Sequence, residues 1–545
     1  MAAACAPPLD QAGPEMVARG PILMRLAALA LVPGLAIFLL FFRLGYRDLD
    51  GSHEARAALN ARWYLEHPGP GPSLLPDGTL EAQKPPAYYW AVAAITRCLG
   101  SDTPDGWTTR LPAALSGLLV VGALGLLAGW RGGPAQGQLA AGLLISMAAF
   151  VWLSRTARTD APLGAAIALG LLALEAGRGT RAWVNALWCL LASLCFACGW
   201  LIKGPMAVVM PAAVLACRVA MEPKNLAVWR WAFGGGCALV GGSLLALPWF
   251  WHADQVSMGQ FSAEFFGLHH VGRGLGGTRL REHPWWFYLA QFPASTLPAS
   301  LLIPLTLWWS VRTSAARQPE QGWLARLGVA WVAGGLILLS LARFKRADYL
   351  APLFPGLALW LATSLWPWLQ TLQAGWPHGA LMGRLAATCA LGVWCAGWGW
   401  WVSIPNQGAG HGRAELAAAI SGARGSGERL VFFQVEDHLL AHHLGSTFET
   451  LVTWPPLREA ASLPGGVLVV TEPERLGEGW FVDPSMRVEP VLPATSSNPT
   501  KASGKPLVCV RLRALTDKSG AEDRADAAIP SSPIAGGPTF LLGDR

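Results

Sequence analysis

The sequence predicts a mainly α-helical protein: a polytopic transmembrane bundle of about 11–13 spans, with a large first external loop and a small C-terminal external α/β domain. Three observations lead to this fold class. First, 53% of the residues are hydrophobic and 14% are charged, against about 25% charged in an ordinary soluble domain. Second, apolar runs of about 20 residues, the length that crosses a bilayer, recur between residues 22 and 403. Third, short apolar strands alternate with helical stretches after residue 404, which is typical of an α/β domain.

The chain begins with residues 1–20, which are predicted to be a disordered, cytoplasmic N-terminus. The apolar run 22–42 is long enough to span the membrane and carries no small-residue cleavage site, so it is predicted to stay as an anchor. The predicted transmembrane domain covers residues 21–403. Its further spans are predicted at 111–129, 137–153, 160–177, 183–201, 204–220, 231–252, 285–310, 327–342, 349–366 and 385–403.

Basic residues at the ends of the apolar runs set the predicted topology. The connectors that hold Arg131, Arg178 and Arg312 alternate along the chain, and the positive-inside rule places them in the cytoplasm. The first loop, 44–108, and the α/β domain, 404–515, then lie outside, followed by a tail at 516–545 that is predicted to be disordered. Because the net charge of +7 is scattered over these ends, the expected partners include membrane lipids and exclude nucleic acid.

The polar segment 48–90 lies between the first two predicted spans and is far longer than a usual connection. We interpret it as the active-site loop. Residues 52–67 are predicted to form an amphipathic helix with Leu59, Trp63 and Tyr64 available for the membrane surface. Further on, Pro85 forces an extended approach for Lys84, so this amine is held at a defined point of the loop.

Several cations lie on the predicted outer side, against the charge bias of the other connectors. They are Lys203 and the basic residues of 155–160, 267–282 and 343–346. Ionisable groups at such depth are costly and usually functional, and a convergent set favours an anion such as a lipid phosphate or pyrophosphate. Snorkelling of single side chains to headgroups is the alternative explanation for each of them.

At these residues the chain resembles the polyprenyl-phosphate-dependent C-type glycosyltransferases, and among them the aminoarabinose transferases of lipid A and the protein O-mannosyltransferase-like enzymes. The resemblance covers most of residues 40–360 and follows the order of the family's motifs. The matching motifs are Glu54-x-Arg56, Lys84-Pro85-Pro86 before Trp90, Arg110 to Pro112, Arg158 to Asp160, Lys203-Gly204, Pro248-Trp249, His270 with Arg273, Pro284 to Tyr288, and Ser340 to Pro352.

The resemblance implies roles for individual residues. Family members carry an Asp-Glu pair in the first external loop; Glu54 matches the second acid, and His53 stands where the Asp is usual. The identity of the base therefore stays open between Glu54, Asp50, Asp48 and His53. Asp160 matches the acid of the second external loop. The residues that match, or are predicted as, ligands of the donor phosphate are Arg56, Lys84, Lys203, Arg273, Lys345 and Tyr349, with His270 and Tyr88 as further site residues.

The expected function is transfer of a sugar, with inversion, from a polyprenyl-phosphate donor to a lipid, glycan or protein acceptor. The expected place is the outer face of a bacterial cytoplasmic membrane. No cofactor or metal ligands are assigned, because the histidines of 252–283 match no metal-binding spacing; a requirement for a divalent metal stays open. The competing hypothesis is a transporter or flippase of lipid-linked sugars. It predicts repeat symmetry between two halves, which the sequence does not show.

Overall fold

The computed structural model describes residues 30–272, 282–313, 319–375, 394, 397–398, 409–463, 465–492 and 506–515. The chain divides into two compact units. The first unit comprises residues 1–414 together with 437–445, and the second comprises 415–436 and 446–545. The return of 437–445 to the first unit was not predicted.

The described part of the first unit is helical. Its α-helices are α1 (Ala30–Phe41), α2 (Gly51–Glu66), α3 (Ala87–Cys98), α4 (Gly106–Gly132), α5 (Pro134–Ser146), α6 (Ala148–Ser154), α7 (Asp160–Gly177), α8 (Ala182–Lys203), α9 (Met206–Met221), α10 (Leu226–Val256), α11 (Gln260–Ser262), α12 (Phe287–Ser295), α13 (Ile303–Thr313), α14 (Pro319–Leu341), α15 (Phe354–Gly375), α16 (Ala409–Ala423, which runs into the second unit) and, after it, α17 (His438–Leu444). A π-helix, Ala263–Gly272, continues α11, and 3-10 turns form at Ala299–Leu302 and Ala347–Leu353.

Among the described residues, six helices are long and apolar enough to cross a membrane, or up to eight if each of two bent pairs is one span. The chain is therefore an integral membrane protein, and the predicted helical bundle is confirmed. The pair α5 and α6 bends by 74°, and the pair formed by α12 and 299–312 bends by 105°. Shorter apolar helices occupy the predicted first span and 204–220. The predicted span 385–403 lies almost entirely outside the described residues.

Helix α7 is the most enclosed of the candidate spans, with 94% of its apolar window buried. Small residues allow its neighbours to approach closely. A side chain at Gly170 would collide with the ring of Phe196 on α8, and one at Gly164 would press on the backbone of Ala351. Because Asp160 is the first residue of α7, this central helix holds a predicted site residue at its end.

Helix α2 forms where it was predicted, but the apolar side chains Leu59 and Tyr64 are buried inside the protein. Leu59 and Tyr64 are only 4% and 5% exposed, and Tyr64 packs in a cluster with Tyr88 and Tyr89 of α3. On another face of α2, Ala55 and Ala58 pack against Leu439 of α17. The apolar side chains that suggested an interfacial helix are therefore the internal contacts of the first loop.

The second unit contains a five-stranded sheet, which confirms the predicted small sheet domain. Its strands are β1 (Arg429–Phe433), β2 (Glu449–Leu451), β3 (Val467–Thr471), β4 (Met486–Leu492) and β5 (Val508–Ala514), in the order β2-β1-β3-β5-β4. Strand β1 pairs in parallel with β2 and β3, whereas β5 runs antiparallel to β3 and β4. Helix α18 (Trp454–Ala461) covers the core residues Val431, Val469 and Val510 through Leu457. Strand β4 was not predicted.

Candidate functional site

Glu54, the carboxylate matched to the family pair, is a buried anchor of the first loop. Its side-chain oxygens accept hydrogen bonds from Nε and Nη2 of Arg110 at 3.0 and 2.6 Å, and from the backbone N–H groups of Asp50 and Ala157, both at 2.8 Å. The residue is 3% exposed. Four donors at this carboxylate join α2, α4 and the segment before α7, and they leave little capacity for a proton from a substrate.

Arg110 continues this connection to the backbone that enters the loop. Its guanidinium donates to the carbonyl oxygens of Leu44 at 3.1 Å and of Arg47 and Asp48 at 2.7 Å each. A planar guanidinium with five donors suits such a junction. Sequence analysis matched Arg110 to a family motif but did not include it among the site residues, because its partners lie far away in sequence.

A cavity of about 130 Å³ opens beside the first turns of α2. Its lining includes two cations and one imidazole and, among the residues the structure describes, no carboxylate. The lining residues are Ser52, His53, Arg56, Ala57, Gln83, Lys84, Tyr88, Tyr89, Ala157 and Thr159. Three of the predicted site residues on the first loop, and Tyr88 on α3, therefore meet at one cavity.

Glu81 orients Arg56 towards this cavity. The carboxylate of Glu81, 1% exposed, accepts hydrogen bonds from Nε of Arg56 at 2.6 Å, from Nδ2 of Asn60 at 3.0 Å and from the backbone N–H of Gln83 at 2.9 Å. Ser73 in turn donates to Asn60 at 2.6 Å. Glu81 was missed in the sequence. One sequence feature could have pointed to it: the family that the chain resembles frequently has Glu at position 83, where this chain has Gln, and Glu81 lies two positions earlier.

Lys84 has the chemistry expected of an anion ligand. Burial, and secondarily the positive charge of Lys203, lower the pKa of Lys84 to about 8, so the amine is still mostly protonated at neutral pH. No hydrogen bond or ion pair joins its ammonium to another residue of the described parts of the chain. Three N–H donors are therefore available to a ligand that enters the cavity.

Lys203, Asp160 and Tyr349 form a second group. Nζ of Lys203 is ion-paired with the carboxylate of Asp160 and lies 4.6 Å from the centre of the Tyr349 ring. These residues come from the ends of α8 and α7 and from the turn before α15. The structure thus brings together three predicted residues from distant parts of the sequence, and it pairs the carboxylate of Asp160 instead of leaving it open.

Asp348 links two further arginines that were not among the candidates. Its carboxylate accepts from Nη1 of Arg158 at 2.8 Å and from Nη2 of Arg346 at 2.9 Å. The backbone N–H of Arg346 donates to the hydroxyl of Tyr288 at 3.2 Å. Both arginines belong to the outer-side basic segments found in the sequence, but only the fold shows that they share one acid.

Other predicted residues lie away from the cavity lining. Lys345 donates to the carbonyl oxygens of His283, at 3.0 Å, and Ala342. Asp50 precedes α2 with its carboxylate exposed and makes no side-chain cap bond. Asp48 pairs with His443 of α17 at 3.1 Å, and this hydrogen bond holds the pKa of Asp48 below its usual value.

His270, Tyr88 and Arg273 complete the predicted set. Nδ1 of His270 lies 2.6 Å from the carbonyl oxygen of Phe265, within the π-helix. The hydroxyl of Tyr88 donates to the carbonyl of Thr109 at 2.8 Å, while the residue lines the cavity. Arg273 lies outside the described residues.

His53 lines the cavity and is neutral. Partial burial and the charges of Lys84, Arg158 and Arg346 lower its pKa to about 3. For metals, no group of three or more His, Cys, Asp or Glu side chains within the described ranges has a geometry that would hold an ion. The cavity offers cations and a neutral imidazole, which suits an anionic ligand.

Comparison with known proteins agrees with this geometry. Residues 50–261, which contain the cavity and the Lys203 group except for Tyr349, match the family described as dolichyl-phosphate-mannose-protein mannosyltransferase, or PMT. The chain carries a PMT family domain. It begins at the residue before α2 and ends within α11, so the family match covers six of the nine motifs on which the resemblance depended. The motifs of His270 with Arg273, Pro284 to Tyr288 and Ser340 to Pro352 lie beyond it.

Bacterial relatives of this chain are named arabinosyl transferases. The undecaprenyl phosphate-alpha-4-amino-4-deoxy-L-arabinose arabinosyl transferase of Pseudomonas aeruginosa is 30% identical over 302 residues, which cover 54% of this chain and 51% of that protein. The corresponding transferase 1 of Sodalis glossinidius is 32% identical over 202 residues, covering 37% and 34%. The chain thus matches about half the length, or less, of these curated relatives.

Solved structures share the fold over most of this chain. ArnT from Cupriavidus metallidurans bound to undecaprenyl phosphate superposes with a TM-score of 0.71 at 17% identity, covering 88% of this chain and 97% of ArnT. The oligosaccharyltransferase of Archaeoglobus fulgidus gives a TM-score of 0.53 at 12% identity, covering 83% and 70%. At these identities the similarity establishes the architecture.

Gly204, inside the PMT family domain, provides a prediction on the position of Lys203. Its φ of +82° disfavours any side chain, and an added Cβ would lie 2.5 Å from the Phe265 ring. We expect Gly204→Ala to shift Lys203 and to lower donor-dependent activity by about tenfold or more, as a displacement on the order of 1 Å can. The control is Gly236→Ala, where no atom lies within 4 Å of the new Cβ. Equal activities of the two variants would contradict a strained backbone at this point.

Proposed function

We propose that this chain is a membrane glycosyltransferase that moves a sugar from a polyprenyl-phosphate donor to an acceptor on the outer face of a bacterial cytoplasmic membrane. The observation that carries the proposal is the cavity beside α2, where Lys84 presents an unshared ammonium. The bacterial relatives are transferases named for an undecaprenyl-phosphate sugar, and their names support the same donor class.

In this proposal the cations hold the phosphate of the donor. Lys84 and Arg56 line the cavity, and Lys203 beside Tyr349 adds a third positive charge; Arg273, outside the described residues, is proposed as a further ligand from the family resemblance. Fixed cations stabilise the negative charge that grows on the phosphate as the glycosidic bond breaks. Direct attack by the acceptor then inverts the anomeric carbon.

The paired carboxylates act by positioning in this mechanism. Glu54 ties the start of α2 to Arg110, and Asp160 holds the ammonium of Lys203. Both keep cations and helix ends in place, and neither is among the lining residues of the cavity. The acceptor itself is proposed as a lipid, glycan or protein hydroxyl that reaches the cavity from the outer surface.

Purified protein in lipid nanodiscs tests the proposal with an undecaprenyl-phosphate sugar labelled in the sugar and an extract of envelope lipids and glycans. We expect label to move to an acceptor with release of undecaprenyl phosphate. Lys224→Gln, an exposed lysine between α9 and α10, should behave as the unmodified protein. In proteoliposomes, label that crosses the bilayer with its phosphate bond intact would show a flippase and overturn the proposal.

A further inference from the structure

We propose that the imidazole of His53 takes the proton of the acceptor hydroxyl, and that the donor phosphate bound among the surrounding cations makes this imidazole basic enough to do so. The inference rests on the proposed function and assigns the base that the family resemblance left open. It follows from three observations: the state of the nearby carboxylates, the position of His53 and the charges around it.

The nearby carboxylates Glu54, Glu81, Asp160 and Asp348 do not line the cavity, and each is hydrogen-bonded or ion-paired. A general base needs a free lone pair within reach of the proton that it removes. Glu54 accepts from Arg110 and two backbone N–H groups, and Glu81 accepts from Arg56, Asn60 and Gln83. Asp160 is paired with Lys203, and Asp348 with Arg158 and Arg346.

His53 differs from these acids in both respects. It lines the cavity, and no hydrogen bond from its ring to the described parts of the protein is present. It stands one residue before Glu54, so the network that fixes Glu54 also fixes the turn of α2 that carries His53. The backbone that carries His53 is thus fixed, and its imidazole lines the space that a substrate would occupy.

Charged groups from each neighbouring element surround this ring. On α2 itself these are Arg56 and the engaged Glu54, and the extended segment before α3 contributes Lys84. Arg158 lies on the segment leading into α7, and Asp160 is the first residue of that helix. Arg346 and Asp348 lie before α15. His438 of α17 is hydrogen-bonded to the neighbouring Ser52 at 3.2 Å. Burial is the largest cause that lowers the pKa of His53 to about 3, and the charges of Lys84, Arg158 and Arg346 lower it further, against the opposing charge of Asp160.

A bound donor adds negative charge beside His53. The phosphodiester of the donor carries one negative charge, and the leaving polyprenyl phosphate gains a second as the bond breaks. Negative charge near an imidazole favours its protonated form, so the proton affinity of His53 rises when the donor binds and rises again during transfer. The base is therefore weak in the empty site and becomes stronger as the reaction proceeds.

The step balances as a simple displacement. The acceptor oxygen forms a bond to the anomeric carbon, and the bond between that carbon and the phosphate oxygen breaks with its electron pair on the phosphate. The hydroxyl proton moves to the free nitrogen of His53. The imidazolium then returns the proton to water after the phosphate leaves.

Substitution separates this role from binding. We expect His53→Gln to lower kcat at least about 100-fold, the lower end of the range for general base catalysis, and to change the affinity for undecaprenyl phosphate by less than about threefold. His53→Asp, which restores a base, should recover part of the transfer. The matched control is His67→Gln at the other end of the same helix, which should keep full activity.

The pH dependence gives a readout that a structural role would not move. In the unmodified protein, kcat should fall as the pH drops through the raised pKa of the donor complex, whereas kcat/KM should show its acid limb at lower pH because it reports the empty site. In spectra of protein labelled with [¹⁵N]histidine, the signal lost in His53→Gln should titrate at higher pH with undecaprenyl phosphate than without it.

The outcomes distinguish this inference from the proposed function. If the unmodified protein neither binds undecaprenyl phosphate nor consumes the donor, the proposed function fails. If it transfers sugar and His53→Gln transfers equally well, only the inference fails, and an acceptor that needs no base, such as a phosphate, becomes the explanation. A His53 titration that does not respond to undecaprenyl phosphate also overturns the inference.

Discussion

Lys84→Gln is expected to weaken the binding of undecaprenyl phosphate by about 100-fold, as loss of a charge-assisted contact on the order of 2–3 kcal/mol implies. The reason is that Lys84 brings an ammonium with no competing partner in the described structure to the cavity. Glutamine keeps a donor and a similar length but carries no charge. Titration of the protein in nanodiscs, followed by tryptophan fluorescence, measures the effect, and Lys224→Gln serves as the control for a lysine outside the cavity.

The same residue makes binding dependent on pH. Because the pKa of Lys84 is lowered to about 8, its positive charge is present below that pH and is lost above it. Affinity should therefore hold between pH 6 and 7 and fall by up to about tenfold for each pH unit well above 8. Lys84→Arg, which stays charged throughout, should remove this dependence. An unmodified protein whose affinity does not change up to pH 10 would contradict the assignment of Lys84 to the phosphate.

Glu54→Gln is expected to destabilise the first unit by about 3–5 kcal/mol, the usual cost of removing one partner of a buried ion pair. The substitution leaves the guanidinium of Arg110, whose side chain is 6% exposed, without its counter-charge. It also weakens the hydrogen bonds that connect α2 with α4 and with Ala157. Unfolding by SDS titration in mixed micelles measures the loss.

Glu66→Gln is the matched control for this experiment, since it removes an exposed pairing with Arg62 on the same helix. Surface pairs of this kind contribute at most about 1 kcal/mol. If both substitutions changed the free energy of unfolding equally, Glu54 would not be an anchor. A folded Glu54→Gln protein that had lost only the acid limb of its activity would instead indicate that Glu54 is the base.

The helical bundle was predictable from the sequence because a span needs about 20 apolar residues, a local property. The bends of 74° and 105° were not, because an apolar run has the same composition whether its helix is straight or broken. Likewise α2 was predictable as a helix. Its apolar face suggested contact with a membrane surface, but in the structure this face packs against Tyr88, Tyr89 and Leu439.

For the site, the sequence indicated which cations depart from the charge rule, and the structure places one of them, Lys203, beside Asp160 and Tyr349. The sequence could not indicate which carboxylates form ion pairs with arginines or lysines. Arg110 is the partner of Glu54 across 56 positions, and Asp348 that of Arg158 across 190. Pairings of this kind depend on tertiary packing, so the sequence left the base open between Glu54, Asp50, Asp48 and His53.

Helix α2 begins at residue 51, yet Leu439, which packs against its Ala55 and Ala58, lies in α17 near the other end of the chain. At translation rates of roughly 5–20 residues per second, the ribosome needs on the order of 20–80 s to reach α17 after α2 has emerged. Throughout that interval the loop with His53 and Lys84 lacks one of its packing partners. Completion of the packing around the site therefore waits for the synthesis of α17, and a nascent chain halted before residue 437 should hold α2 open to protease.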